Sequence, residues 1–275
     1  MCLLIALFED VPGAPLMIAA NRDERLDRPA VAMTVLRAAG PRILGGRDEL
    51  AGGTWLAVNE HGVVAGLTNQ PSAGGRDPSK RSRGELPLAF TAHKTAAAAV
   101  AAAATELNPA DYNPCWLLVG DRQSLFSVGI AGGSAAEVEQ LGPGLHILEN
   151  APLRARSAKA DLVRQLVTSE RARRPASPAG AQEALDAVLR LHQPAIAEPR
   201  TDDTGHAWPP EISAPCVHTE AYGTRSAMTV CLLAGREPVV RIADGRPCEH
   251  AFLDVTTLWT PAAQDPDGSQ PQIRP

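Results

Sequence analysis

The apolar positions near the start of the chain predict two strands joined by a tight turn. Residues 3–8 form an unbroken apolar run, and residues 15–20 form a second run after Val11-Pro12-Gly13. Short apolar runs separated by Pro and Gly are typical of a β-hairpin. A second strand pair is predicted at residues 55–58 and 63–67, around Asn59-Glu60-His61-Gly62. Because Asn and Gly suit positive φ angles, this tetrapeptide is interpreted as a hairpin turn.

The middle of the chain changes to a helical pattern. Apolar residues at three- and four-residue spacing predict helices at residues 156–167 and 181–192. The alanine-rich run at residues 87–107 predicts one helix or two, and Asn108-Pro109 ends it. Further strands are predicted at residues 116–120, 125–128, 145–148, 225–233, 239–243 and 251–257.

This order of elements predicts an α+β fold. Strand pairs, then helices, then strands again indicate two antiparallel sheets flanked by helices and not a repeated βαβ unit. Residues 70–84 and 193–215 lack periodicity and are predicted to be surface loops, of a length that often carries binding function. We expect one domain over residues 1–260 and a disordered tail over residues 261–275.

The composition excludes several classes of partner. With 26 Lys and Arg residues against 31 Asp and Glu, the formal net charge is -5, and no basic stripe alternates with aromatic residues, so no nucleic-acid partner is expected. Glu9 and Asp10 interrupt the first apolar run, so neither a membrane span nor a signal peptide is predicted. Five cysteines, an odd number, indicate reduced thiols in a cytoplasmic protein. The sequence does not fix the oligomeric state.

Cys2 is the first candidate for chemistry. A cysteine at position 2 is small enough to allow removal of Met1, which leaves a free α-amine on the same residue as the thiol. Because an α-amine titrates at about 7.7–8.0 and a thiol at about 8.5, the amine can accept the thiol proton near neutral pH. One residue then supplies both nucleophile and base. The alternative is that Cys2 is only a small apolar residue at the start of a buried strand.

A set of motifs in fixed order connects Cys2 with a known family. They are Met1-Cys2-Leu3, Asn21-Arg22-Asp23-Glu24, Gly52-Gly53-Thr54-Trp55-Leu56, Asn59-Glu60-His61-Gly62-Val63, Leu67-Thr68-Asn69, Leu148-Glu149-Asn150-Ala151-Pro152-Leu153 and Tyr222-Gly223-Thr224-Arg225-Ser226. On these residues the chain resembles the NRDE family, which includes the eukaryotic transport and Golgi organisation 2 protein. At lower similarity the same order resembles the N-terminal-nucleophile (Ntn) cysteine hydrolases that act on bile salts and penicillin V.

The resemblance implies a fold and a set of catalytic residues. The implied fold is the four-layer α/β/β/α sandwich of the Ntn hydrolases, with Cys2 as the nucleophile. Asp23 would hold the α-amine and thiol of Cys2. Asn69 would donate to the oxyanion, and Asn150 would orient the amine or the substrate carbonyl. Arg225 would lower the pKa of the thiol electrostatically.

Three further residues, Asn21, Arg22 and Trp55, are predicted to bind substrate or to support the catalytic residues. In the bile-salt group the Arg and Asp of the strand are three residues apart, whereas Arg22 and Asp23 are adjacent here and would face opposite sides of a strand. Arg22 is therefore expected to lie behind the residues that touch substrate, and Asn21 on the face of Asp23. Trp55 is expected to anchor the glycine-rich loop before it. For Arg225 an ordinary ion pair, with Asp23 as its partner, is the alternative.

Two functions stay open. In the first, Cys2 attacks an amide or thioester carbonyl of a small molecule, forms an acyl-enzyme and needs no cofactor. In the second, the same cleft carries haem, acyl-CoA or lipid without turnover. The resemblance suggests this second function because the eukaryotic relatives are associated with lipid and haem handling, and His146 or His218 would then offer a ligand to haem. A processed N-terminus with a reactive Cys2 distinguishes the two, because a carrier needs neither.

Other motifs of chemistry are set aside. Cys216-x-His218 and Cys248-x-His250 would supply four zinc ligands, but structural zinc sites usually use wider pairs, so no metal site is predicted. Gly45-Gly46-Arg47-Asp48 lacks the Lys-Ser/Thr of a phosphate-binding loop. A Gly-x-Ser-x-Gly elbow, typical of serine α/β-hydrolases, does not occur.

Overall fold

The computed structural model describes residues 2–71, 75–131, 133, 135–201 and 207–260. The strands in these residues are β1 (Leu3–Val11), β2 (Ala14–Arg25), β3 (Ala30–Arg37), β4 (Ile43–Asp48), β5 (Leu56–Asn59), β6 (Val64–Asn69), β7 (Cys115–Gly120), β8 (Leu125–Ile130), β9 (Glu137–Leu141), β10 (Gly144–Leu148), β11 (Arg200–Thr201), β12 (Ala207–Trp208), β13 (Tyr222–Leu232), β14 (Val239–Asp244) and β15 (Leu253–Asp254). The helices are α1 (Glu85–Phe90), α2 (Ala96–Glu106), α3 (Ala158–Ala172) and α4 (Pro178–Leu189). The predicted tail at residues 261–275 lies outside the described residues.

Six strands form the first antiparallel sheet, in the order β10-β1-β2-β13-β14-β15. β1 and β2 form the predicted N-terminal hairpin, in which Leu4 lies opposite Ala20. On its other side β2 pairs with β13, which places Thr224 opposite Asp23. The N-terminal hairpin and a strand from the last quarter of the chain are therefore neighbours in the centre of one sheet.

Seven strands form the second antiparallel sheet, and each follows its neighbour in sequence from β3 to β9. The turn between β5 and β6 is the one predicted around Asn59. The side chain of Asn59 accepts from the backbone N–H groups of His61 and Val63 and donates to two carbonyls that follow α1. Gly62 has a φ of 92°, which a side chain would strain. Both residues therefore shape the turn.

The two sheets pack face to face and helices cover their outer faces. Along β1, Leu4 faces the second sheet, whereas Leu3 and Ile5 face α3 and α4. The residues Leu86 and Phe90 of α1 pack on the outside of the second sheet together with α2. Both faces of β1 are thus buried, which explains its unbroken apolar sequence. The predicted four-layer α/β/β/α sandwich is confirmed.

The element boundaries differ from the sequence predictions at several points. β2 continues past its predicted end at residue 20 to Arg25, because β13 supplies the backbone partners for these polar residues. The alanine-rich run forms two helices, and the helix predicted to end at residue 192 ends at Leu189. Residues 251–257 contain only a two-residue strand. No helix in the described part of the chain is long and apolar enough to cross a membrane.

Candidate active site

Cys2 lies immediately before β1, beside the polar end of β2. Leu3 pairs with Asn21, so the register places Cys2 next to Arg22 on the neighbouring strand. The thiol Sγ lies 4.0 Å from the carbonyl oxygen of Asp23. Burial raises the pKa of the Cys2 thiol, and the positive charge of the N-terminus only partly offsets it. The thiol is therefore protonated at neutral pH and needs a base before it can attack a carbonyl.

The carboxylate of Asp23 is fully buried and is held from two sides. Its Oδ1 accepts a 2.6 Å hydrogen bond from the hydroxyl of Thr224, and its Oδ2 lies 3.5 Å from Nζ of Lys159. Burial raises the pKa of Asp23, whereas the charges of Lys159 and of the N-terminus lower it. A carboxylate fixed in this way can hold the α-amine of residue 2 in one position.

Lys159 is absent from the residues predicted from sequence. It lies in the first turn of α3 and is buried on the same face as Val163 and Val167. A lysine at an apolar position of a helix is a signal for a paired buried charge, because Lys is almost never fully buried without a partner. The sequence carries this signal but does not name Asp23 as the partner.

Arg22 is buried on the opposite face of β2, between the thiol and two carboxylates. Its Nη2 lies 3.7 Å from Oδ2 of Asp48 and 3.9 Å from Oε2 of Glu24, and its Cζ lies 4.3 Å from the centroid of the Trp55 ring. Burial lowers the pKa of Arg22, and the negative charges of Cys2, Glu24 and Asp48 raise it. Nη1 is buried with no hydrogen-bond partner among the described residues. Arg22 therefore brings a positive charge to the surroundings of the thiol.

Trp55 is held against β4 by a close contact that only glycine permits. A Cβ atom on Gly46 would lie 2.0 Å from the Trp55 ring. A Cβ on Gly53 would lie 2.5 Å from the backbone of Gly84, to which Thr54 donates a 2.9 Å backbone hydrogen bond. The glycine-rich segment thus packs the loop tightly under Trp55.

Asn21 faces the helices and lies outside the pocket. Its Nδ2 donates two 2.9 Å hydrogen bonds, to the carbonyl oxygens of Leu189 and Pro215. Since Leu189 ends α4 and Pro215 precedes β13, Asn21 fixes the backbone behind Asp23. It shares the face of Asp23 as strand alternation predicts, but its contacts are structural.

Asn69 and Asn150 come from different sheets and meet at the pocket. Asn69 ends β6 and is exposed, and its carbonyl oxygen accepts a hydrogen bond from Nδ2 of Asn150, which follows β10. Thr68 donates a 2.6 Å hydrogen bond to the carbonyl of Glu149, which ties the two segments together. The Oδ1 of Asn150 is buried and has no partner among the described residues.

Arg225 is placed differently from its predicted role. Its Nη1 donates to three backbone carbonyls at the end of β2 and in the loop after it, those of Arg25, Leu26 and Arg28, at 3.0, 2.6 and 3.1 Å. It does not line the pocket of Cys2, and it forms no ion pair with Asp23 among the described residues. The contacts of Arg225 hold the loop after β2, while Arg22 occupies the position near the thiol.

The pocket that these groups line has a volume of about 760 Å³. The residues predicted from sequence that line it are Cys2, Arg22, Asp23, Trp55, Asn69 and Asn150. Leu67 and Tyr222 also line it, and the Tyr222 hydroxyl donates a 2.7 Å hydrogen bond to the carbonyl of Asp23. The pocket thus brings the Cys2 thiol and the buried Asp23 carboxylate together with the amide side chains of Asn69 and Asn150.

A second cluster of Cys and His side chains lies behind Asp23, and its fourth member is not the one that the Cys-x-His spacing indicates. The structure brings Cys216, His218 and Cys248 together, as the two Cys-x-His pairs allow, but the fourth group is His192. His250 is exposed and packs over Gly245, where a Cβ would lie 2.4 Å from its ring. The four side chains come from three separate segments, a grouping that the spacing of two Cys-x-His pairs does not indicate.

The sheet order, the four layers and the cysteine before β1 define the fold of the Ntn hydrolases. Penicillin V acylase from Agrobacterium tumefaciens shares this fold with a TM-score of 0.50 at 12% sequence identity, over 93% of this chain and 98% of that chain. The predicted fold class is confirmed.

The family follows from sequence comparison. The model of the family "Transport and Golgi organisation 2" matches residues 1–242, and the chain belongs to this family. Relatives include the Transport and Golgi organization 2 homolog of Mus musculus, 30% identical over 245 residues that cover 82% of this chain and 86% of that protein. The homologue of Homo sapiens is 30% identical over 255 residues, with the same coverage of 82% and 86%. The resemblance stated from the motifs is confirmed.

Proposed function

We propose that this chain is a cysteine hydrolase that cleaves an amide or thioester bond through an acyl-enzyme on Cys2. The observation that carries the proposal is the position of the thiol, which lines the pocket next to a buried Asp23 fixed by Thr224 and Lys159. An acidic group held beside the first residue of the processed chain is what an N-terminal amine needs to act as a base.

The reaction begins when the free α-amine of Cys2 takes the thiol proton and Sγ attacks the substrate carbonyl carbon. The negative charge moves to the carbonyl oxygen, to which the amide of Asn69 would donate, while Asn150 would orient the amine or the substrate carbonyl. When the tetrahedral intermediate collapses, the C–N or C–S bond breaks and the ammonium returns its proton to the leaving nitrogen or sulfur. Water then gives a proton to the amine, its oxygen attacks the acyl carbon, and the acid leaves with Sγ reprotonated.

Arg22 and Asp23 have separate roles in this scheme. Asp23 would orient the ammonium of the processed Cys2 and stabilise its positive charge, since its carboxylate is held in place by Thr224 and Lys159. Arg22 stabilises the developing thiolate, because its positive charge lowers the pKa of Cys2. Arg225 has no direct part in the scheme and is a positioning residue for the loop after β2.

The charges of the pocket wall favour a substrate with an anionic group. Five arginines line it, namely Arg22, Arg28, Arg76, Arg81 and Arg83, against the three carboxylates Asp23, Glu24 and Asp48. Arg28 and Arg81 form ion pairs of 2.7 and 2.6 Å with Asp48 and Glu85. Arg76 and Arg83 form no ion pair among the described residues. We expect carboxylate-bearing acyl compounds to be better substrates than neutral ones.

All five cysteines are free thiols. Free thiols fit a reducing compartment. We therefore place the reaction in the cytoplasm.

The test is acylation of the purified chain with a panel of acyl thioesters and acyl p-nitroanilides, with and without a carboxylate on the acyl chain. Rapid quenching should give an acyl adduct on the N-terminal peptide of the wild type, and product release should follow. Cys2→Ala should abolish both, whereas Cys231→Ala, a buried cysteine of β13 outside the pocket, should retain both. Stoichiometric binding of acyl compounds without an adduct, unchanged by Cys2→Ala, would instead identify a carrier.

A further inference from the structure

We propose that His192, Cys216, His218 and Cys248 bind one structural zinc ion, at a site separate from the pocket of Cys2. The four donor atoms all lie within 4.8 Å of one another. His192 follows α4, Cys216 and His218 precede β13, and Cys248 follows β14. Two thiols and two imidazoles that converge from three segments form the donor set of a structural zinc site.

Four of the six distances between the donor atoms are close to those of tetrahedral coordination. Zn–S bonds of about 2.3 Å and Zn–N bonds of about 2.0–2.1 Å require about 3.8 Å between two sulfurs, about 3.5 Å between sulfur and nitrogen and about 3.3 Å between two nitrogens. The Sγ atoms of Cys216 and Cys248 are 3.7 Å apart, and Sγ of Cys216 lies 3.5 Å from Nε2 of His218. Nε2 of His218 lies 3.1 Å both from Sγ of Cys248 and from Nδ1 of His192.

Hydrogen bonding alone does not account for this convergence. Nε2 of His218 faces three other donor atoms at once. An imidazole nitrogen has either one proton or one lone pair, so it makes one directed hydrogen bond and not three. A single ion among the four atoms would accept one lone pair from each of them.

The backbone around the cluster is fixed by hydrogen bonds before any metal arrives. The N–H of Cys216 donates to the carbonyl of Leu191 at 2.8 Å, next to His192. Asn21 joins the same two segments through the carbonyls of Leu189 and Pro215. Ligand segments with this support are typical of metal sites, whose outer hydrogen bonds hold the ligands in place.

The cluster is linked to the proposed nucleophile site by two hydrogen bonds. The N–H of Val217 donates to Thr224 Oγ1 at 2.8 Å, and that hydroxyl donates to Oδ1 of Asp23 at 2.6 Å. Val217 lies between the two ligands Cys216 and His218. We infer that the ion fixes this segment and, through Thr224, the orientation of the Asp23 carboxylate.

Binding of the ion replaces two thiol protons with one divalent cation. The two thiols lose their protons to solvent and two neutral imidazoles bind through ring nitrogens, so a divalent cation becomes a neutral centre. Four protein ligands leave no position for water or substrate, which makes the ion structural and not catalytic. His192 is exposed, so the ion can enter from solvent.

The test begins with the metal content of the chain purified without chelator, measured by mass spectrometry with inductively coupled plasma. We expect one zinc per chain in the wild type and in Cys231→Ser, and less than a tenth of that in the double variant Cys216→Ser/Cys248→Ser. A strong chelator should lower the Tm of the wild type and of Cys231→Ser by several degrees, and added zinc should restore it. The double variant should respond to neither.

Cobalt gives a second measurement that does not depend on how the variants fold. Co²⁺ added to chelated wild type should give the visible bands of tetrahedral cobalt and a thiolate charge-transfer band, and zinc should remove both. If the purified wild type contains no zinc and added zinc does not change its Tm, the proposal is overturned. A Cys216–Cys248 disulfide in freshly prepared protein, seen as a mass lower by two hydrogens, would overturn it as well. These readouts use no substrate, so they stand whether or not Cys2 is a nucleophile.

Discussion

The ammonium of Lys159 lies 3.5 Å from Oδ2 of Asp23, and both side chains are buried between α3 and the first sheet. Lys159 also donates a 3.5 Å hydrogen bond to the carbonyl of Ile212, so its position is fixed from two sides. A buried charge that loses its only ionic partner becomes strongly destabilising. The pair therefore links the stability of the fold to the ionisation of the group that we place beside the nucleophile.

Replacing Lys159 with methionine should lower the free energy of unfolding at neutral pH by about 3–5 kcal/mol, because Asp23 is left buried without its counter-charge. The loss should shrink as the pH falls, since protonated Asp23 needs no partner. Urea unfolding at several pH values measures it. The double variant Lys159→Met/Asp23→Asn should recover most of the stability at neutral pH. Equal losses in the single and double variants would show that packing of the lysine, and not its charge, matters.

The raised pKa of Asp23 determines whether the free energy of unfolding rises or falls with pH. Because the pKa is raised in the folded chain, the unfolded chain ionises first, from about pH 3.9 upwards. The contribution of Asp23 to stability is therefore complete below that pH and falls as the pH rises through the folded pKa. The difference in unfolding free energy between wild type and Asp23→Asn should decrease with pH over this window. A difference that increases would mean that the folded carboxyl has a lowered pKa.

The two arginines should differ in their effect on the thiol. Arg22→Gln should raise the pKa of Cys2, because it removes a nearby positive charge. Arg22→Lys should restore the wild-type value, and Arg225→Gln should leave it unchanged while lowering stability by about 1–2 kcal/mol. The pH dependence of the alkylation rate of Cys2 measures this. A larger shift in the pKa of Cys2 in Arg225→Gln than in Arg22→Gln would show that Arg225, and not Arg22, acts on the thiol.

Asn69 should act on the transition state more than on substrate binding. Asn69→Ala removes an amide donor at the pocket and should lower kcat on an acyl thioester about 10²–10³-fold, with KM changed much less. Its matched control is Asn59→Ala, which removes an equally polar side chain from a turn outside the pocket. That variant should lose stability and retain kcat in its folded fraction. A reduction confined to KM in Asn69→Ala would assign the residue to substrate binding alone.

The sequence predicted best those elements in which one physical requirement explains the residue pattern. β1 is apolar throughout because both of its faces are buried, and the turn at Asn59 needs residues that tolerate its backbone. β9, with the sequence EVEQL, was missed because it lies at the edge of its sheet and is mostly exposed. The polar end of β2 was missed because its partner strand β13 comes from about 200 residues away.

The candidate site was predicted only in part, because some of its contacts join segments that are far apart along the chain. Motif order placed Cys2, Asp23, Asn69 and Asn150 together, and the structure lines one pocket with them. Motif order did not distinguish Arg22 from Arg225, since both lie near the joint between β2 and β13 and only side-chain direction separates them. Lys159 and the cluster of His192, Cys216, His218 and Cys248 depend on contacts between distant segments, which spacing along one chain does not encode.

The most direct test of the nucleophile is the rate at which Cys2 is alkylated. Native protein is treated with limiting iodoacetamide at neutral pH, and each cysteine peptide is quantified by mass spectrometry. Burial raises the pKa of Cys2, but its own α-amine can take the thiol proton in the processed chain. Cys115 and Cys231, whose pKa values burial raises to about 12 and about 11, carry no α-amine and should react slowly. A matched chain with an uncleaved N-terminal extension lacks the free α-amine on Cys2. We predict a mature chain that begins at Cys2 and is alkylated there well ahead of its other cysteines and of the extended chain. Retained Met1, or a Cys2 no faster than in the extended chain, would contradict the mechanism.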